Sequence, residues 1–329
     1  MKFIYALFLA AFYCSIGQAG TNTVDSLIAL LEDPQITADL EHSYLLRQTL
    51  GDLYAADELY ETAIFRFNES LDIAYQLEQV EKIAETLVKL GFAKQRRSEY
   101  SDAMAYYTAL LNLKGVPDNH PSTVEAMSNI SSIHQALGNY EQAYEFQIKA
   151  LQLNENNGNK EGALRCRYRL GTIFFYQKQF DKALEEYQTA KEMSDEIGNE
   201  RDVYSCLAAL GSVHAELGNY DENLYYNEKS LQMAKKIDYK MGIAYSTGNM
   251  GSSYLRQGNC EQAKWHYQEA IQLKVELNDN WGVIGSKLAL ADLYNKCQQK
   301  EQLIPLMDEV IKLSKQLDSK PRELTAYEI

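Results

Sequence analysis

Residues 51, 91, 131, 171, 211, 251 and 291 lie forty apart and read Gly, Gly, Ser, Gly, Gly, Gly and Ala. A fixed period of this length means one supersecondary unit copied along the chain, each copy burying its apolar face against its neighbours. The residue before each small position is Leu50, Leu90, Ile130, Leu170, Leu210, Met250 or Leu290. Twelve residues after it stand Ala63, Ala103, Ala143, Ala183, Asn223, Ala263 and Leu303, and three before those stand Tyr60, Tyr100, Tyr140, Phe180, Tyr220, Cys260 and Lys300. Between these markers the chain carries Gly138-Asn139, Gly218-Asn219 and Gly258-Asn259, which are helix-stop and turn dipeptides. Val203, Leu207, Leu210, Val213 and Leu217 recur at the helical period. Each unit therefore reads as a helix, a tight turn and a second helix.

Glycine inside a helix costs about 1 kcal/mol relative to alanine, so its recurrence needs a packing reason. The expectation is close approach of the second helix at its matching alanine, with the aromatic at the turn covering the junction.

The string Leu50-Gly51-Asp52-Leu53-Tyr54, followed by Tyr60 and Ala63, resembles the tetratricopeptide repeat. The forty-residue form is similar to the repeats of kinesin light chains, of Leu-Gly-Asn-rich polarity adaptors and of bacterial signalling proteins. It departs from the commonest form by six extra residues, which lengthen the second helix or the loop after it. The resemblance implies an all-α fold, a right-handed superhelical solenoid of stacked antiparallel helix pairs. Seven units span residues 44–323, after an N-terminal helical cap at 20–43 that includes a short helix near Thr23 to Glu32. Residues 324–329 begin an eighth unit that looks truncated. Pro121 and Pro321 suit helix starts, whereas Pro305 is expected to kink the second helix of the seventh and most degenerate unit.

Residues 1–19 are of another kind: Lys2, an apolar run from Phe3 to Tyr13, then Gly17-Gln18-Ala19. This pattern predicts a secretory signal peptide and an exported, periplasmic or extracytoplasmic protein. The run is shorter than the roughly 20 residues that span a bilayer, so a retained anchor is the weaker reading, and the bulky Phe12 and Tyr13 disfavour lipidation at Cys14.

The formal net charge of −14 argues against nucleic acid, which requires a basic footprint. Outside the leader, Cys166 and Cys206 occupy one position in adjacent units and read as buried small hydrophobes, while the spacing of Cys260 and Cys297 leaves their pairing open. His134 and His214 share a slot filled elsewhere by Tyr54, Phe174, Tyr254 and Tyr294, so an aromatic packing role is expected. No cofactor motif, metal-ligand set or catalytic string stands in the chain. The expectation is a protein that is not an enzyme, with no cofactor and no metal.

In the family that this chain resembles, the first helix of each unit lines a concave face that takes a protein or peptide. Asn129 and Asn249 stand where related adaptors use asparagine on a peptide backbone, an amide being both donor and acceptor. Lys89 and Arg169 depart from asparagine in that slot. Arg165 and Arg169 lie four apart on one helical face, with Tyr168, Phe175 and Tyr176 nearby, and Lys89 and Arg96 hold similar inward positions in the second unit. This cationic and aromatic strip would favour a carboxylate on an extended or acidic peptide. The alternative is that these cations pair with acids of neighbouring units. Two functional classes remain open: a free exported adaptor, or the sensor module of a membrane-bound signalling protein whose output domain and membrane contact would follow Ile329.

Overall fold

The computed structural model describes residues 21–317, all of whose regular structure is helical. The proposed signal peptide, Pro321 and the start of an eighth unit lie outside the described residues. The chain divides between Cys166 and Arg167 into two compact units.

In the first unit, α1 (Thr21–Leu31) and the single turn α2 (Pro34–Thr37) precede the helix pairs. These are α3 (Leu40–Ala56) with α4 (Tyr60–Gln76), α5 (Val80–Arg96) with α6 (Tyr100–Leu111), and α7 (Pro121–Ala136) with α8 (Tyr140–Asn156). The boundary falls within α9 (Lys160–Tyr176). In the second unit follow α10 (Phe180–Ile197), α11 (Glu200–Glu216), α12 (Tyr220–Lys236), α13 (Lys240–Arg256), α14 (Cys260–Glu276), α15 (Asn280–Lys296), a 3₁₀ turn (Lys300–Gln302) and α16 (Leu303–Gln316). Consecutive helices pack in pairs throughout each unit, giving an all-α solenoid of stacked hairpins.

The period of forty has a local cause. The helices are mostly 17 residues long, in both the first and second places of the pair, with three-residue turns between them. The extra length is therefore helical. At residues 58, 78, 98, 138, 158, 178, 198, 218, 238, 258, 278 and 298 the backbone is left-handed. In each turn the next N–H reaches the carbonyl five residues back, as Leu59 does to Tyr54 and Asn139 to His134, both at 2.8 Å. This is the helix-ending geometry that satisfies the last free carbonyls. The one irregular connection follows α6, which stops after 12 residues. Gly115 (φ +92°) turns the chain there, and Pro121 opens α7 with the His120 side chain accepting from the Ser122 N–H at 3.2 Å.

At the N-terminal end, Leu27 of α1 is fully buried against Leu46, Leu50 and Leu53 of α3, so the first helix covers the open face of the first pair. At the other end the expected kink does not occur. The 3₁₀ turn delays the start of α16, which places Pro305 in its first turn, where a missing N–H breaks no helical bond.

The mid-helix glycines also have a different partner from the one expected. A β-carbon on Gly51 would lie 2.3 Å from the Phe67 ring, on Gly91 2.4 Å from Tyr107, and on Gly251 2.8 Å from Tyr267. The ring sixteen residues later, in the middle of the second helix, occupies that space. The matching alanine is buried but is not what the glycine makes room for.

Candidate binding site on the first helices

In the second unit the first helices α9, α11 and α13 form one face, and on it is a cleft of about 410 Å³. Its floor is small because α11 presents Ser205, Ala208, Ala209 and Ser212, spaced three and four apart and so on one side of the helix. Aromatic residues stand on both flanks. From α9 come Tyr168, Phe175 and Tyr176, and on the other flank stand Tyr239, just before α13, with Tyr245 and Asn249 of α13.

Each wall is held from behind. Tyr168 packs against Tyr187 of α10 with ring centroids 5.3 Å apart, and the Tyr187 hydroxyl donates to Thr172 at 3.0 Å. Burial pushes the Tyr168 phenol up to about 12, with the charges of nearby groups such as Cys206 and Tyr204 adding to the rise, so it stays a neutral donor at ordinary pH. Tyr204 meets Tyr239 edge to face at 5.3 Å, and the Arg201 guanidinium lies 3.1 Å from the Tyr239 centroid. The Tyr245 hydroxyl donates to Asp279 at 3.0 Å while the buried Lys274 ammonium sits 4.2 Å from that ring and donates to Ser286 at 2.8 Å. Tyr176 and Tyr245 remain exposed, at 55% and 42%. An apolar side chain can enter between these rings while Asn249 and the phenols meet backbone amides.

The cleft brings together Tyr168, Tyr176 and Asn249 from the residues that the sequence singles out. Arg169, half-buried on α9, is not among its lining, and no cation is. In the first unit Lys89 lines a smaller cleft of about 250 Å³ with Phe92, Phe67, Asp52, Glu85 and Glu125. Its ammonium pairs with Asp52 at 2.7 Å, so acids outnumber it there. Arg96 is exposed at the end of α5, donates to the Tyr60 hydroxyl at 3.0 Å and faces Glu58 at 3.7 Å, away from that cleft. Arg165 is exposed with Glu161 3.9 Å away, one turn earlier. Asn129 is buried on α7 and its amide nitrogen has no hydrogen-bond partner. Tyr204, Tyr239 and Tyr245 were not among the expected residues. Stepping one period along from Tyr204 leads to Ala244 and its neighbour Tyr245, a signal available only by comparing units.

Three of the histidines serve as rings. His134 stacks on Phe146 at 5.8 Å and His214 on Tyr226 at 5.2 Å, and His266 does the same with Tyr254 at 5.2 Å. Burial holds the imidazoles of His214 and His266 below the usual histidine range. Cys260 and Cys297 form a disulfide, with Cα atoms 6.3 Å apart, linking the start of α14 to the residue after α15. Cys166 and Cys206 are buried thiols. No described helix is long and apolar enough to cross a membrane.

No match to a curated protein sequence is found. Solved structures similar in fold include these three. Aspartyl phosphate phosphatase F from Bacillus subtilis superposes with a TM-score of 0.69 at 14% identity, over 90% of this chain and 76% of that one. A Rap protein complexed with Competence and Sporulation Factor gives 0.65 at 14% identity, over 96% and 87%. NprR in complex with its cognate peptide NprX gives 0.56 at 17% identity, over 80% and 78%. The tetratricopeptide repeat family model matches residues 122–196 and 203–274. Residues 122–196 and 203–274 are tetratricopeptide repeats, and the forty-residue register and α-hairpins of the other described pairs resemble them.

Proposed function

We propose that this protein is an exported, non-catalytic scaffold that binds an extended peptide segment against α9, α11 and α13. The observation that carries this reading is the cleft itself, whose aromatic flanks and Ser/Ala floor suit an apolar anchor residue beside a hydrogen-bonding backbone. Similar folds captured with a peptide, as in NprR with NprX, support a peptide as the ligand class. Lys89, Arg96 and Arg165 already face carboxylates, so the anchor is apolar and an acidic residue is secondary. Export is supported by the leader-like first nineteen residues and by the Cys260–Cys297 pair, since disulfides persist in oxidising compartments.

A random peptide library displayed on phage and selected on the intact protein tests the reading. Selected peptides should share one apolar or aromatic position. Their affinity, measured by calorimetry, should fall at least tenfold for Tyr176→Ala and Tyr245→Ala with helicity unchanged. Peptides that bind both variants as well as the native protein would sink it.

A further inference from the structure

The second unit contains another groove, on different faces of its helices. It lies between the second helices α10 and α12, with α11 beneath, and encloses about 550 Å³. The residues that α11 contributes here are Val203 and Leu207, not the Ser/Ala row that floors the cleft described above.

One departure from the repeat pattern lines this groove. At the position held by Leu71, Leu111, Leu151, Leu231, Ile271 and Ile311 in the other six repeats, the fourth repeat carries Lys191. A branched apolar side chain that elsewhere packs between neighbouring helices is replaced by a straight chain ending in an ammonium. Two further lysines of α12, Lys229 and Lys236, border the same space. Lys191 is held by Asp195 at 2.8 Å and Lys236 by Glu200, both partly exposed pairs of the kind that compete poorly with a better-placed anion. Lys229 lies 5.6 Å from the Tyr225 ring centroid, and no carboxylate pairs with it among the described residues. The five groups together carry one net positive charge on a chain whose formal charge is −14.

The apolar lining is equally specific. Met233 and the exposed ring of Tyr225, set edge to face against Tyr226 at 5.3 Å, join Val203 and Leu207. A volume in the range of small-ligand pockets, one uncompensated cation and an aromatic edge describe one ligand chemistry. We propose that the groove between α10 and α12 binds a small organic monoanion, a carboxylate or sulfonate on an apolar or aromatic body, with Lys229 meeting the charge and Val203, Leu207, Met233 and Tyr225 receiving the body.

Two fluorescent probes of nearly the same shape test this on the intact, oxidised protein: 1-anilinonaphthalene-8-sulfonate, an aromatic monoanion, and N-phenyl-1-naphthylamine, its neutral counterpart. The sulfonate should bind one site, weaken at least fivefold in Lys229→Gln, and weaken further as salt is raised. The neutral probe should be indifferent to Lys229→Gln. Lys191→Leu restores the residue used by the other repeats and so keeps the fold, and by leaving the Asp195 carboxylate without its partner beside the groove it should weaken the sulfonate while the neutral probe still binds. Tyr176→Ala should leave sulfonate binding unchanged. Sulfonate affinity that survives both lysine substitutions would overturn the proposal, as would affinity lost on Tyr176→Ala, which would place the probe in the other cleft.

Discussion

The ring of Tyr187 fills the space that a β-carbon on Gly171 would occupy, with its Cδ1 2.7 Å from that position. The same pairing sixteen residues apart joins Gly51 to Phe67, Gly91 to Tyr107 and Gly251 to Tyr267, and in the other three repeats the ring is replaced. Ser131 stands opposite Gln147 in the register, Gly211 meets Asn227, and Ala291 is paired with Met307. Gly171→Ala gains about 1 kcal/mol of helix propensity but loses about 1–3 kcal/mol to overpacking. Urea denaturation should show a net loss, and adding Tyr187→Met should recover most of it, because Ala with Met is the pairing of the seventh repeat.

The left-handed turn residues offer an opposite test. Glu78 holds φ +55° where five other repeat turns carry glycine. A side chain in this region costs roughly 1–2 kcal/mol, offset in part by the unfolded-state entropy that glycine adds. Glu78→Gly should raise stability by about 0.5–1 kcal/mol, and Gly218→Ala should lower it by about 1 kcal/mol, both read from denaturation midpoints at unchanged m-value.

Reduction should act on one end of the second unit. The Cys260–Cys297 bond closes a separation of 37 residues, which the chain-entropy relation makes worth about 4 kcal/mol. A Cys260→Ser, Cys297→Ser double variant should therefore show faster amide exchange in α15 and α16 while α3 to α8 keep native protection. Uniform loss of protection would contradict a local role.

Burial of the Cys206 thiol pushes it up to about 12 from an ordinary 9.0. Folded protein should leave Cys206 unreacted with iodoacetamide at pH 8, and denatured protein should label it at once. The sign on stability follows. A thiol or phenol raised by burial stabilises the fold fully below its unfolded value, and that contribution is lost as the pH rises toward the folded one, so Cys206 and Tyr168 begin to weaken the protein above about pH 9 and 10. His214 and His266 are lowered, so their contribution is present above 6.5 and is lost as pH falls through their folded values. A melting-temperature profile should be flattest between those limits.

How much of this was legible in the chain differs by feature. The forty-residue register follows from positions 51 to 291, and helix ends follow from Gly138, Gly218 and Gly258, because turn chemistry and the 3.6-residue period are local properties. Turns through Glu58 or Lys178 carry no such mark, since a left-handed backbone on those residues is imposed by the flanking helices. The glycines face the ring one turn beyond the expected alanine, as Gly51 faces Phe67 rather than Ala63, because the sequence does not show which side chain of the opposing helix reaches across.

The repeating unit and its two helices depend on contacts within about twenty residues, so the chain alone carries them. The tertiary structure alone decided the rest. It set Pro305 in a first turn, joined Cys260 to Cys297, gave Lys89 to Asp52, and gathered Tyr168, Tyr176, Tyr245 and Asn249 around a floor of small residues. These relationships join residues in different helices and mostly different repeats, where the angle between neighbouring helices selects which side chains meet. No local pattern in the chain encodes that angle.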